Sequence, residues 1–259
     1  MPIAGGLRDQ TLDVAGVPIA MRVAGSGPPL LFLHGPDGVP SWLPFFDGLA
    51  AAHTVYVPEH PGFGRSPQAD WIRDVPDLAM LYLEMLDAMN LRGLSIIGHS
   101  LGGWIAAEMA VRSCERIASL GLIAPAGVRL KGVLSGDDFI WTPEERTRNL
   151  VSDAGLADQI LARVTTDAEI EASIGNRFAA ARYGWQPRWF DPRLEKWLHR
   201  VRVPVDVIWG EDDRFLPAAY AAVWSRQLFD ARVHLLPGCG HLPHVERCAR
   251  VLELLAPAR

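Results

Sequence analysis

The segment Ile96-Ile97-Gly98-His99-Ser100-Leu101-Gly102-Gly103 constrains this chain more than any other. It sets a G-x-S-x-G pattern between two stretches of different character. Leu94 to Ile97 is a short apolar run that ends at Gly98, and Trp104-Ile105-Ala106-Ala107-Glu108-Met109-Ala110-Val111 is a good helix former. Strand, tight turn and helix form the context in which such a serine sits on a strained turn with its hydroxyl presented to a reactant. The flanking residues must be small, because a larger side chain would clash. The helix that follows turns its free N–H groups and positive dipole end towards the same point. The pattern alone arises by chance in many chains, so its partners decide what it means.

A serine hydroxyl is a poor nucleophile at neutral pH and needs a general base, which in turn needs an acid to orient it. On a strand–turn–helix scaffold the order along the chain is Ser, then Asp or Glu, then His. Val205-Asp206-Val207-Ile208-Trp209 is a β-rich run followed by Gly210-Glu211-Asp212-Asp213-Arg214-Phe215-Leu216-Pro217. Val233-His234-Leu235-Leu236 is another, followed by Pro237-Gly238-Cys239-Gly240-His241. Both loops lie just past the C-terminal ends of strands, where open α/β sheets place their sites. Taken singly, Asp212 and Asp213 read as caps of a helix near Pro217, and His241 as an ordinary loop histidine. The conjunction of three residue types, in order and each after a strand, carries the functional reading.

With these pieces in place the chain resembles the α/β-hydrolase fold family over nearly its whole length. The resemblance rests on Leu33-His34-Gly35, His60-Pro61-Gly62-Phe63-Gly64-Arg65-Ser66, Gly98-His99-Ser100-Leu101-Gly102, Gly210-Glu211-Asp212-Asp213 with Pro217, and Gly240-His241. It implies Ser100 as nucleophile and His241 as base, with His244 the nearby competitor. It implies Asp213 as the acid, with Asp212 the neighbouring alternative. His34 and His60 match loop positions that shape such a site. Serine at the elbow argues against the dehalogenase and epoxide-hydrolase branches, where the resemblance would lead one to expect aspartate.

Acyl transfer also needs preorganised N–H donors for the oxyanion. One is expected from Leu101. The second is expected from His34-Gly35-Pro36-Asp37-Gly38. In many relatives the residue after His-Gly donates, but here it is Pro36, which has no N–H. The donor is therefore expected at Asp37, or failing that Gly38, with the Asp37 carboxylate pointing away or binding substrate.

A chain of 259 residues suits one large α/β domain. A formal net charge of −5 without a basic stripe argues against nucleic acid. The apolar runs are too short to span a bilayer, and residues 1–12 lack the pattern of a secretory signal. Three cysteines, Cys114, Cys239 and Cys248, have no framework spacing and read as reduced thiols, so a cytoplasmic location is expected. A zinc site of Cys239, His241, His244 and Cys248 matches no standard spacing. No metal or organic cofactor is expected.

Short apolar runs separated by helical patterns imply a mostly parallel twisted sheet flanked by helices. Residues 1–126 and 201–259 are expected to form the core domain. Residues 127–200 show helical patterns without a clear strand, and the resemblance implies a cap, or lid, over the site. Thr142-Pro143-Glu144-Glu145 is a helix start. Of the aromatics in this stretch, Trp141, Trp185 and Trp189 are candidates for the substrate pocket, and Arg188 for a substrate carboxylate. An aromatic-rich lid favours an apolar or aromatic substrate group.

The expected activity is cofactor-independent hydrolysis of a small molecule, first a carboxylic ester or lactone. The alternative is carbon–carbon bond hydrolysis of aromatic meta-cleavage products, which Arg188-Trp189-Phe190-Asp191-Pro192 and the run Trp209 to Phe215 resemble. Against it, Pro36-Asp37 replaces the glycine-rich loop usual in that branch, and Leu242 stands where an aromatic is common. A non-catalytic ligand receptor is a third class, since fold does not fix function. A homodimer is an expectation of the resemblance.

Overall fold

The computed structural model describes residues 6–39, 41–163 and 165–256. β1 (Arg8–Val14) and β2 (Val17–Ala24) form an antiparallel hairpin. Its turn places Ala15 at φ 53° and Gly16 at φ 80°, the two left-handed residues that a tight hairpin turn needs. β3 (Pro29–Leu33), β4 (Thr54–Pro58), β5 (Leu94–His99), β6 (Ile117–Ile123), β7 (Val205–Gly210) and β8 (Ala231–Leu236) complete an eight-stranded sheet. The order is β1-β2-β4-β3-β5-β6-β7-β8. The β1–β2 and β2–β4 pairings are antiparallel and the remainder are parallel.

Two-residue periodicity along the central strands builds two cores. Leu31, Ile96, Leu122 and Val207 face one side, where α2 (Val75–Ala88) and α3 (Leu101–Arg112) lie. Phe32, Ile97, Ile123 and Ile208 face the other, against α1 (Pro44–Ala50) and α9 (Cys248–Leu255). Burying Phe45 and Phe46 of α1 contributes about 2 kcal/mol each. The strands are apolar on both faces because both faces are covered.

The segment between β6 and β7 holds α4 (Pro143–Leu150), α5 (Ala154–Ala162) and α6 (Asp167–Gly184). Its sheet-like pairing among the described residues is one isolated bridge, Gly127 to Phe190. Thr142 opens α4 with a full capping box to Glu145. The helix expected from Pro217 begins with a single 3-10 turn, Ala218–Tyr220, before α7 (Ala221–Gln227). The described residues end in two helical pieces, α8 (Pro243–Glu246) and α9, separated at Arg247, whose φ of −131° leaves helical geometry.

Candidate active site

Ser100 joins β5 to α3 at φ 51° and ψ −112°. Strain of this kind, of order 1–3 kcal/mol, persists only where the surroundings over-determine it. Here its N–H donates to the Ile123 carbonyl at 2.9 Å, and its own carbonyl accepts from Trp104 and Ala126, both at 3.1 Å. A Cβ on Gly98 would overlap the Gly102 carbonyl, and one on Gly102 would overlap the Leu33 carbonyl. The elbow therefore closes only with glycine at both positions.

The loops carrying Asp213 and His241 meet at this turn. His241 Nδ1 donates to Asp213 Oδ2 at 2.7 Å, and both residues are buried. Asp213 Oδ2 also accepts from Trp209 Nε1 at 3.0 Å, while Oδ1 accepts the N–H groups of Phe215 and Leu216, each at 2.9 Å. An acceptor at every contact keeps a proton on His241 Nδ1, so that in the neutral ring the lone pair is at Nε2. Asp212, the alternative acid, instead accepts the Ser152 hydroxyl at 2.8 Å. His99 Nε2 donates to the His241 carbonyl at 2.9 Å, which ties the base loop to the residue beside Ser100. Ser100 Oγ and His241 Nε2 are both buried without a hydrogen-bond partner. Such pairs are often loose before substrate arrives and tighten around it.

His244, the alternative base, packs against His99 and Phe45, and burial followed by the His241 charge lowers its pKa to about 3. Burial, then Glu246, pushes the Cys239 thiol up to about 12, so it stays protonated and unreactive.

Behind the 34–38 loop lies a buried relay. The His60 N–H donates to His34 Nε2 at 3.0 Å, so His34 carries its proton on Nδ1 and donates to the Gly35 carbonyl at 2.7 Å. His60 Nε2 donates to the His34 carbonyl at 3.0 Å, so His60 Nδ1 accepts from the Tyr82 hydroxyl at 2.5 Å. Both rings are neutral, as burial dictates: it lowers His34 to about 4 and His60 well below its ordinary value. Gly35 lies directly on the elbow, since a Cβ there would stand 3.4 Å from Ser100 Cβ.

One expectation for this loop is corrected. The Gly38 N–H donates back to the Gly35 carbonyl at 3.2 Å, closing a turn, and so is not a free donor. Among the described residues no acceptor takes the N–H of Asp37 or of Leu101. The Asp37 carboxylate turns to Arg146, with contacts of 2.5 and 3.1 Å.

The expected pocket residues have varied surroundings. Trp189 is fully buried; its Nε1 donates to Asp138 Oδ1 at 2.8 Å and its ring stacks on Phe139 at 5.3 Å. Trp141 is half-buried, edge-on to Phe215, which itself packs edge-on to His241 at 4.8 Å. Trp185 is exposed, and the Arg188 guanidinium lies 4.3 Å from its ring centroid. Arg188 also pairs with Asp137 and lies over Phe139, so its charge is already committed.

Sequence reasoning missed three residues of the β6–β7 segment and one beyond it. Arg146 on α4 bridges Asp37 and Asp138; burial opposes its charge, but the two carboxylates outweigh that and raise its pKa. Asn176 on α6 bonds the Asp37 carbonyl at 2.7 Å. Asp138 is a buried carboxylate whose pKa burial raises, against the pull of Arg146. Glu246 accepts the N–H groups of Gly240 and Ser152, both at 2.8 Å, which fastens the base loop to the end of α4. The Thr142 capping box was a signal for α4, but no sequence pattern marks which of its polar residues face inward.

A cavity of about 380 Å³ opens beside the 34–38 loop, touching Gly35, Asp37, His99, Arg146, Leu242 and His244. Its remaining wall is largely apolar, including Phe32, Leu43, Phe46, Leu150, Val151 and Ile160.

Four buried neutral histidines carry a stability consequence. His34, His60, His99 and His244 all have pKa values lowered chiefly by burial. Above about pH 6.5 neither folded nor unfolded chain protonates them. Below it the unfolded chain takes up protons that the folded one refuses, so each group removes up to about 1.4 kcal/mol of stability per pH unit. Urea unfolding at pH 7 and pH 5 is expected to differ by of order 5 kcal/mol in favour of pH 7. Equal stability at the two pH values would contradict buried neutral rings.

Comparison with known proteins identifies the family. The alpha/beta hydrolase family model matches residues 30–254. A 2-hydroxymuconate semialdehyde hydrolase of Pseudomonas sp. (strain CF600) is 30% identical over 258 residues, covering 93% of this chain and 90% of that protein. The crystal structure of a membrane phospholipase A superposes with a TM-score of 0.79 at 27% identity, covering 96% of this chain and 84% of that one. A meta-cleavage product hydrolase from Pseudomonas fluorescens IP01 superposes with a TM-score of 0.80 at 22% identity, covering 95% of each chain, a likeness of fold. The chain is a hydrolase and belongs to the alpha/beta hydrolase family.

Proposed function

We propose that the protein hydrolyses a carboxylic ester or lactone with an apolar acyl group, using Ser100 as nucleophile, His241 as general base and Asp213 as its orienting acid. The observation that carries this reading is the Asp213–His241 pair, which puts the lone pair of the neutral ring at Nε2, in the buried site that also holds the strained, unpartnered Ser100 hydroxyl. Ser100 Oγ bonds to the carbonyl carbon while its proton passes to His241 Nε2. The oxyanion is stabilised by the N–H of Leu101, at the start of α3, and by that of Asp37. The carbonyl reforms as the alkoxide leaves with the proton from His241. Water repeats the cycle on the acyl-enzyme, releasing the acid and restoring Ser100. None of these steps calls on a metal or organic cofactor. The helices of residues 127–200 serve as the cap.

The charges around the cavity favour a neutral substrate. Of its two arginines, Arg146 is held by Asp37 and Asp138, and Arg163 by Glu169. A substrate carboxylate would have to displace one of these pairs, and the cavity wall is mainly apolar. The second reading, carbon–carbon hydrolysis of a meta-cleavage product, is favoured by the 30% identity to the 2-hydroxymuconate semialdehyde hydrolase.

The two readings separate in one experiment, with p-nitrophenyl butyrate and a 2-hydroxy-6-oxodienoate assayed against the wild type and Ser100→Ala. Rapid ester turnover that disappears in Ser100→Ala, with the dienoate untouched, is expected. Fast loss of dienoate colour beside feeble ester turnover would establish the second reading.

A further inference from the structure

Pro36 has no N–H, so in the hydrolytic reading the second oxyanion donor is Asp37, on a loop position that needs outside support. Three anchored groups supply it. The Gly35 carbonyl takes both His34 Nδ1–H and the Gly38 N–H, the Asp37 carboxylate is held by Arg146, and the Asp37 carbonyl is held by Asn176. The last is the most directional. Asn176 is buried, and its Oδ1 accepts the Gly64 N–H at 3.1 Å. That contact fixes the amide flip, so Nδ2 must face the Asp37 carbonyl. Gly38 has φ 73°, and a Cβ there would stand 2.7 Å from Asn176 Nδ2, so the loop and the amide are fitted to each other.

We propose that Asn176 is a positioning residue for the oxyanion hole: from α6 it holds the Asp37 carbonyl while Arg146 holds the carboxylate, and the two together limit rotation about Asp37 and so fix the preceding Pro36–Asp37 peptide, which carries the Asp37 N–H. The inference rests on the hydrolytic reading above, with Asp37 as donor. The segment between β6 and β7 then has a part in the chemistry beyond covering it, because α6 supplies part of the hold that aims a donor at the developing charge. Since the charge on oxygen appears only in the transition state, loss of this aim lowers kcat and leaves ground-state binding alone.

The test compares wild type, Asn176→Asp and Asn176→Ala on p-nitrophenyl butyrate, with rates divided by the number of sites titrated by a fluorophosphonate. Asn176→Asp is nearly isosteric and still accepts from Gly64, but it cannot donate to Asp37. Both variants are expected to lose about 10- to 100-fold in kcat per titrated site, with KM within about twofold. The inhibition constant of an alkyl trifluoromethyl ketone, which binds serine as an oxyanion, is expected to rise by the same factor. A kcat per site within about twofold of wild type would overturn the proposal. So would a fall in kcat with no change in ketone affinity, which would mark a structural role. Ser100→Ala run alongside separates the two levels: ester turnover independent of Ser100 overturns the hydrolytic reading itself.

Discussion

Asp213→Asn is expected to lower kcat by about 10⁴-fold while the protein stays folded. The reason lies in the four donors around this carboxylate: His241 Nδ1 and Trp209 Nε1 on Oδ2, and the N–H groups of Phe215 and Leu216 on Oδ1. An asparagine must put an NH₂ at one end. Placed at the Oδ1 end, it meets two backbone donors, which cannot move without unfolding the turn. Placed at the Oδ2 end, it meets Trp209 and His241, and the imidazole answers by moving its proton to Nε2. The second arrangement disturbs less backbone, and it turns the base into a donor facing Ser100. A buried donor left unmatched beside Trp209 also costs about 1–3 kcal/mol of stability. Steady-state kinetics on the ester, beside a thermal melt, check both parts. A kcat within tenfold of wild type would remove Asp213 from the role assigned to it.

Gly102→Ala is the second large effect, and here the loss is of the fold. Helix propensity alone would favour alanine at this position by about 1 kcal/mol. The added Cβ, however, would overlap the Leu33 carbonyl and stand 2.7 Å from the His34 carbonyl oxygen, all backbone atoms of the strand that leads into the 34–38 loop. No side chain can swing aside to relieve it, so the elbow or β3 must shift. Overpacking of this kind costs about 3 kcal/mol or more. For a domain of this size that lowers Tm by about 10 °C, and activity falls with it because the same shift moves the 34–38 loop. A variant that melts within about 2 °C of wild type would show that the turn is looser than its contacts imply.

The strands were legible because their signals are local. Apolar runs such as Leu94–Ile97 and Ile117–Ile123 have two covered faces and little alternative to a parallel sheet. The order Ser100, Asp213, His241 was legible because each residue follows such a strand, and the fold brings Asp213 and His241 into direct contact. α1 escaped notice, since its seven residues are too few to show a helical period beside the Gly- and Pro-rich loop before it. The partners of Asp37 escaped for another reason. Arg146 and Asn176 lie 109 and 139 residues away along the chain, and nothing in their neighbours distinguishes an inward-facing polar side chain from a solvated one. Gly38 was a reasonable donor from sequence, but a turn closes on it as soon as Gly35 and Gly38 come within reach. Arg188 and Trp189 stand in a stretch that resembles a substrate-binding one, yet Asp137 and Asp138 precede them in the chain and already pair with them.

In the proposed mechanism Ser100 is the one acylated group, activated by His241. Intact-protein mass spectrometry after exposure to a fluorophosphonate, followed by peptide mapping, tests it most directly. A single adduct is expected on the peptide carrying Ser100, formed rapidly by the wild type and slowed by about 10³-fold or more in His241→Ala. An adduct on any other residue, or labelling of Ser100 at the same rate without His241, would contradict it.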